Sequence, residues 1–167
     1  DLHLSIRRQR QMCIRDRITS SNNNSENLDS ESYTFHMNIK WVGAKKTVYD
    51  ALGGSKWFEE LVEHFYENVE KDERIRHLYP DDLTLPKKNT ADFLIQYWGG
   101  PSTYSDRRGH PRLRMRHAPF QIGQEERNAW MESMTSALEI MHPPSEIMEA
   151  MLEYFDMAAT HMVNTEI

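Results

Sequence analysis

The chain has 167 residues, of which 38% are hydrophobic, enough for one domain with a modest core and a polar tail. Its formal net charge is −6 and no apolar run approaches the roughly 20 residues of a membrane span, so we expect a soluble protein that binds neither nucleic acid nor membrane. The single cysteine, Cys13, excludes an intramolecular disulfide and a multi-thiolate zinc site, and favours a reducing compartment such as the cytoplasm.

Residues 1–46 differ from the rest of the chain in charge and composition. They hold eight basic and five acidic residues, a net of +3, whereas residues 47–167 carry −9. The stretch ITSSNNNSENLDSES has almost nothing to bury. The string QMCIRDR could be a basic arm, part of a transit peptide or translated adapter sequence. We therefore predict a disordered or artefactual extension over residues 1–46, with organelle targeting left open, and a folded domain over residues 47–167.

From Thr47 onward, apolar residues recur at three- and four-residue spacing, which predicts helices. The first long helix follows the Gly53-Gly54 break, with Ser55 as its N-cap, and continues to about Val69. Residues 99–111, rich in glycine and proline, are predicted to be a loop. No stretch alternates as a strand does, so the fold class is all-α with about four long helices and two short ones. The other helices are predicted at residues 72–79, 86–98, 113–117, 124–141 and 145–163.

The segment RRGHPRLRMRHAPF, from Arg107 to Phe120, is strongly basic for an acidic chain, with five arginines and two histidines. His117 stands at the end of a short helix that Pro119 prevents from continuing. A haem needs one imidazole on its iron, cations near its two propionates and a broad apolar slot, and arginine binds carboxylates at two points. The spacing alone fits either a haem site centred on His117 or a solvated charged loop.

Longer motifs add a specific resemblance. The stretches YDALGGSKWFEELVEHFYENV, YWGGPSTYSDRRGHPRLRMRHAPF, ERNAWM and MAATHMVN together resemble the group II truncated haemoglobins over residues 48–164. The resemblance implies a two-over-two helical sandwich, a shortened globin in which a loop replaces most of the proximal helix. It also implies a haem b, and the chain has no C-x-x-C-H motif for covalent haem attachment.

On this resemblance, His117 corresponds to the proximal iron ligand. Arg116 and Tyr104 fall where contacts to the haem propionates are expected. Three further residues are expected to line the pocket or to belong to the core, namely Phe93, Leu94 and Trp98.

The resemblance also implies a distal side with polar aromatic residues, because Tyr66, Tyr79 and Trp130 fall where the family places its ligand-facing groups. Counting back from the end of the helix at 86–98 places Pro86 and Thr90 on the same side. Thr90 is expected to be a small polar contributor. Pro86 offers no side-chain donor, so no distal histidine or glutamine is expected at its position.

We expect from these assignments a haem b protein that binds O2, and also NO and CO, at ferrous iron. Bound dioxygen carries partial negative charge, which a hydrogen-bond donor stabilises. The indole of Trp130 can only donate, whereas the hydroxyls of Tyr66 and Tyr79 can donate or accept. Two such donors imply slow O2 release, which suits redox chemistry with NO or peroxide, as in a NO dioxygenase or a peroxidase-like enzyme, with an unidentified reductase as partner.

Two alternatives stay open at this point. A haem-based redox or gas sensor, or an electron-transfer protein, would use the same scaffold and would be favoured by rapid autoxidation or a six-coordinate ferrous spectrum. A cofactor-free helical module would use the arginine run to bind an acidic partner, and would be colourless with salt-sensitive binding.

Overall fold

The structure, a computed structural model, describes residues 46–165. Over this range the chain contains helices and turns and no strand, which confirms the all-α prediction. Four long helices carry the fold, and four short ones lie between or before them. In chain order the helices are α1 (Val48–Ala51), α2 (Ser55–Val69), α3 (Glu73–Arg76), α4 (Thr84–Tyr97), α5 (Thr103–Arg108), α6 (Leu113–His117), α7 (Gln124–Met141) and α8 (Ser145–Met162).

The predicted N-terminal extension, apart from Lys46, lies outside the described residues. Across residues 46–165, none of the helices combines the length and the hydropathy that a bilayer span requires.

The four long helices pack as two pairs. Helix α2 lies against α4, α7 lies against α8, and contacts between α2 and α7 join the pairs. This is the two-over-two sandwich that the resemblance implies. The side chains buried between these four helices form the core. Burying one large apolar side chain contributes on the order of 1.5–3 kcal/mol to stability, so this core is the main stabilising feature. Its fully buried side chains include Phe58, Leu61, Phe65, Met134, Leu138, Ile147, Met151 and Phe155.

Helix α2 begins differently from the prediction, since Ser55 is its first residue and not its N-cap. Gly54 occupies the N-cap position, and both Gly53 and Gly54 have φ of +89°. The Ser55 hydroxyl is instead 3.1 Å from the hydroxyl of Tyr49 in α1. The two glycines turn the chain so tightly that Ser55 is already helical, and its side chain bonds outside the helix.

The sequence predicts a loop over residues 99–111, but the structure has helix α5 inside this region. The hydroxyl of Ser102 donates to the carboxylate of Asp106 at 3.0 Å. Gln96, near the end of α4, accepts from the Ser105 N–H at 2.9 Å and donates to the Ser105 hydroxyl at 2.7 Å. The glycines and prolines on either side of α5 favour a loop, so the sequence pattern does not indicate this helix. Its contacts with Gln96 on α4 stabilise it.

Other helix boundaries differ from the prediction by one to three residues. Helix α3 ends at Arg76, three residues before the prediction, and the Arg76 guanidinium donates to the carbonyls of Tyr79 and Pro80 at 3.1 and 3.0 Å. Helix α4 begins at Thr84, so Pro86 is its third residue. Proline fits there because the first-turn N–H groups of a helix have no acceptor within it. Helices α6 and α7 lie where predicted, and α8 ends one residue early.

The end of α4 lies against the start of the folded domain. The N–H of Tyr49 donates to the carbonyl of Trp98 at 3.0 Å. Gly99 has φ of +99°, and a methyl group at this position would lie 2.6 Å from the Thr47 side chain. Only glycine therefore permits this approach, which fixes α4 against α1.

Candidate functional site

The imidazole of His117 is oriented by its own helix. Its Nδ1 atom lies 2.7 Å from the backbone carbonyl oxygen of Leu113, one turn earlier in α6. A carbonyl only accepts, so Nδ1 is the donor, and in the neutral imidazole this tautomer has its lone pair on Nε2. Metal-binding histidines characteristically use such a second partner to fix the tautomer and the ring direction. His117 is therefore a residue that could hold a metal through Nε2.

Arg116, next to this histidine, holds the loop that leads into α6. Its Nε donates to the carbonyl of Pro111 at 2.7 Å, and its Nη2 donates to the carbonyl of Arg108 at 2.8 Å. The guanidinium carbon also lies 5.9 Å from the centre of the buried Tyr104 ring. The structure therefore brings together the two residues expected at the propionates, and gives Arg116 a loop-holding role that the sequence did not indicate.

Two other arginines of the basic segment bind the protein itself. Arg107 donates to the buried carboxylate of Asp92 at 2.6 Å and to the Asn89 side chain at 2.9 Å, which ties α5 to α4. Arg114 donates to the backbone carbonyl of His161 in α8. The segment is therefore bonded to two other helices of the domain, α4 and α8, and is not simply a solvated loop.

The predicted distal residues converge on one place from four parts of the chain. The hydroxyl of Tyr66 in α2 is 3.0 Å from the hydroxyl of Thr90 in α4. The ring of Tyr79, which follows α3, meets the Tyr66 ring edge to face at 5.5 Å. The Trp130 indole in α7 lies within reach of the Tyr79 hydroxyl and, as an N–H donor, lowers the pKa of that hydroxyl. Four polar tips therefore share one small region.

Burial raises the pKa of both phenols in this region. It raises the pKa of Tyr66 to about 12, and the hydrogen bond to Thr90 opposes part of that rise. Burial also raises the pKa of Tyr79, with a further contribution from the nearby Tyr66, while the hydrogen bond from Trp130 opposes it. Both hydroxyls therefore carry a proton at neutral pH and can donate a hydrogen bond.

The three residues expected at the pocket wall or in the core lie in different surroundings. Phe93 is partly buried, and its ring lies 5.6 Å from the Tyr104 ring, nearly perpendicular to it. Leu94 and Trp98 are 2% and 3% exposed and belong to the central core. Of the three, only Phe93 lies where it could line a pocket, between α4 and α5.

These contacts link the two sides of the candidate site through α4. Thr90 reaches the distal phenols, and Phe93, one turn later, reaches Tyr104 and through it the segment that carries His117. Within residues 46–165, no three His, Cys, Asp or Glu side chains form a group that could hold a bare metal ion. The oriented imidazole, the aromatic wall and the neighbouring guanidinium are the groups that a haem requires, so the residues fit this cofactor.

Asn164 gave no signal in the sequence beyond its place in the motif MAATHMVN. Its side chain hydrogen-bonds backbone groups of His117, Phe120 and Ile122, which are 42 to 47 positions away. A single asparagine after a helix does not indicate such long-range partners.

The chain is similar to proteins of a known family. The family model described as bacterial-like globin matches residues 47–164. The group 2 truncated haemoglobin YjbI of Bacillus subtilis (strain 168) is 38% identical over 116 residues, which cover 70% of this chain and 87% of that protein.

Solved structures show the same relationship. The haemoglobin of the thermophilic phototrophic bacterium Chloroflexus aurantiacus is 51% identical with a TM-score of 0.71, covering 72% of this chain and 99% of that one. A truncated oxygen-avid haemoglobin from Bacillus subtilis is 37% identical with a TM-score of 0.68, covering 71% of this chain and all of that one, 100%. The chain therefore belongs to the bacterial-like globin family, as a group II truncated haemoglobin, and so to proteins that bind haem and, through it, O2 and related diatomic gases.

Proposed function

We propose that this protein is a haem b protein that holds O2 with slow release and serves redox chemistry, either the oxidation of NO by the held O2 or a separate peroxidase-like reduction of peroxide. The observation that carries the proposal is the 2.7 Å hydrogen bond from His117 Nδ1 to the Leu113 carbonyl, because it leaves Nε2 as the ligand for iron. A haem, when bound, supplies the ferrous iron at which diatomic gases bind. The remaining roles belong to side chains of this chain.

On the proximal side, the Leu113 carbonyl polarises the imidazole and prevents the ring from turning, which raises the basicity of Nε2. The neighbouring Tyr104 and Arg116 are the residues we assign to the haem propionates. The bonds from Arg116 to loop carbonyls hold its guanidinium in place beside the Tyr104 ring. A held guanidinium loses less conformational freedom when it meets a carboxylate.

On the distal side, Trp130, Tyr79 and Tyr66 supply the donors. Each hydrogen bond from such a donor to a charged acceptor contributes roughly 1.5–3 kcal/mol, which slows escape by about 10- to 150-fold. Tyr66 and Tyr79 both carry their hydroxyl protons at neutral pH, as any phenol with a pKa of 10 or above does, so each hydroxyl can donate.

The relatives support slow release. The solved Bacillus subtilis protein is described as oxygen-avid, and we extend that property to this chain on the strength of its three distal donors. Tightly held O2 suits a NO dioxygenase or a peroxidase-like reaction better than oxygen delivery. Such a reaction consumes electrons, so we infer a reductase as partner. We also infer the cytoplasm as location, because a chain with a single cysteine suits a reducing compartment.

A visible absorption spectrum of the purified chain tests the proposal. We expect a Soret band that shifts when dithionite reduces the iron and shifts again when carbon monoxide is added. Stopped-flow displacement of O2 by carbon monoxide then gives the O2 dissociation rate, which we expect to be slow. A colourless protein, or a pigment that does not respond to carbon monoxide, would contradict haem binding at His117.

A further inference from the structure

The segment that carries His117 has little to hold it in place by itself. Helix α6 is five residues long, and a helix of this length is not stable in water without tertiary contacts. It follows Arg112, which has left-handed backbone angles and makes no side-chain cap, and it leads directly into Ala118 and Pro119. Contacts from outside the segment must therefore fix the backbone of His117.

Asn164 makes such a contact from the far end of the domain. It lies two residues after α8 ends, and its side-chain amide reaches three backbone groups of segment 117–122. The amide nitrogen donates to the carbonyl of Phe120 at 2.9 Å and to that of His117 at 3.4 Å. The amide oxygen accepts from the N–H of Ile122 at 3.0 Å.

The contact is anchored in the protein interior through Ile122. The backbone N–H groups of Asn164 and Thr165 both donate to the Ile122 carbonyl, at 2.9 and 3.2 Å. The Ile122 side chain is buried, with 8% of its surface exposed. The residues after α8 and the segment 117–122 therefore form a small hydrogen-bonded unit. Asn164 contacts both ends of this segment, at His117 and at Ile122.

We propose that Asn164 is a positioning residue for the iron ligand. By linking the carbonyls of His117 and Phe120 to Ile122, it holds α6 against the end of α8 and so sets where the His117 ring stands. An amide suits this task because it offers a donor and an acceptor on separate atoms. The inference rests on the proposed function, because it assigns Asn164 a role only through His117.

Two variants and a matched control test the proposal in the purified full-length protein. Asn164→Ala removes both functions of the amide, and Asn164→Asp keeps only an acceptor. Asp156→Ala is the control, because Asp156 pairs with Arg127 on the surface between α7 and α8 and does not touch segment 117–122. Arg114 still joins α6 to the His161 carbonyl in both Asn164 variants, so we expect them to fold.

Three readouts separate positioning from general stability. They are the iron–histidine stretching band in the resonance Raman spectrum of the ferrous protein, the rate of haem transfer to excess apomyoglobin, and the hydrogen-exchange rate of the Ile122 amide. We expect Asn164→Ala to shift or broaden the band, to speed haem loss about twofold to tenfold for the loss of ordinary hydrogen bonds, and to speed exchange at Ile122. Asn164→Asp places a carboxylate oxygen against the carbonyls of His117 and Phe120, so its effect on the band and on haem loss should be at least as large as that of Asn164→Ala. Asp156→Ala should leave the band unchanged.

The proposal is overturned if Asn164→Ala only lowers the melting temperature, as Asp156→Ala does, and leaves the Raman band and the exchange of Ile122 as in wild type. Failure of the proposed function gives a different result, since the wild-type protein would then hold no haem. The exchange rate of Ile122, which needs no haem, would still show whether Asn164 fixes the segment.

Discussion

The hydroxyl groups of Tyr66 and Thr90 lie 3.0 Å apart and join α2 to α4 across the distal region. Because Tyr66 is 2% exposed, this bond is formed away from water, where an unpartnered hydroxyl is costly. The contact fixes the rotation of α4, since Thr90 must point to α2. It also sets the direction in which Phe93, one turn later, faces Tyr104.

Replacing Thr90 with valine should destabilise the protein. The change keeps the volume of the side chain but leaves the buried Tyr66 hydroxyl without its partner, at a cost of about 1–3 kcal/mol. Urea unfolding measures the loss. In a double-mutant cycle with Tyr66→Phe, the coupling between the two residues should be about 0.5–1.5 kcal/mol, and additive effects would show that the bond does not contribute.

Tyr66 should make the protein less stable at high pH. Burial raises its pKa from 10.0 to about 12, so between these values the unfolded chain has lost the phenolic proton and the folded chain retains it. The free energy of unfolding therefore falls as the pH rises through this window, and the contribution is fully present below pH 10. Tyr66→Phe should remove up to about 3 kcal/mol of that fall.

Urea unfolding of wild type and Tyr66→Phe, at a pH below 10 and at one near 12, measures this difference. The variant should keep some slope, because burial also raises the pKa of Tyr79. Identical slopes in the two proteins would show that Tyr66 does not titrate as its burial requires.

Trp130→Phe should raise the O2 dissociation rate about tenfold or more. The substitution keeps an aromatic ring against Phe65 and Phe155, but removes the N–H that would donate to bound O2. Stopped-flow displacement of O2 measures the rate. Trp57→Phe, on the first turn of α2 beside Phe58, is the matched control and should leave the rate unchanged. An unchanged rate in Trp130→Phe would remove Trp130 from the distal site.

His117→Gly should release the haem or leave it without its normal axial bond. The glycine has no imidazole to replace Nε2, and added free imidazole should restore the spectrum by occupying the space. The exposed His110 in the same segment supplies the control, and His110→Ala should keep a wild-type spectrum. A His117→Gly protein with unaltered colour and gas affinity would show that another residue binds the iron.

Gly99→Ala should destabilise the protein more than Gly109→Ala. Both glycines have positive φ, +99° and +71°, so each alanine costs about 1–3 kcal/mol in backbone strain. A methyl group on Gly99 would also lie 2.6 Å from the Thr47 side chain, whereas nothing lies within 4 Å of one on Gly109. Overpacking adds about 1–3 kcal/mol, which thermal unfolding of the two variants would resolve. Equal losses of stability in the two variants would show that Thr47 and α1 shift away from the new methyl group at little cost.

The long helices could be predicted from the sequence because their signals are local. The limits of α7 follow from the spacing of apolar residues between Gln124 and Met141, and α2 follows from the series that includes Phe58 and Phe65. His117 could be singled out because a short helix, a proline and a cluster of arginines lie side by side along the chain. Its assigned role came from the longer motifs that resemble a known family.

Tertiary structure alone decided the features that depend on distant partners. Helix α5 was missed because Gln96, on another helix, holds Ser105. The sequence predicts Arg116 only at the propionates, yet it also bonds the loop before it, and nothing in the sequence indicates the partners of Asn164. The physical reason is that hydrophobic periodicity records which face of a helix is buried, but a single polar side chain carries no record of which backbone group it will meet once the chain has folded.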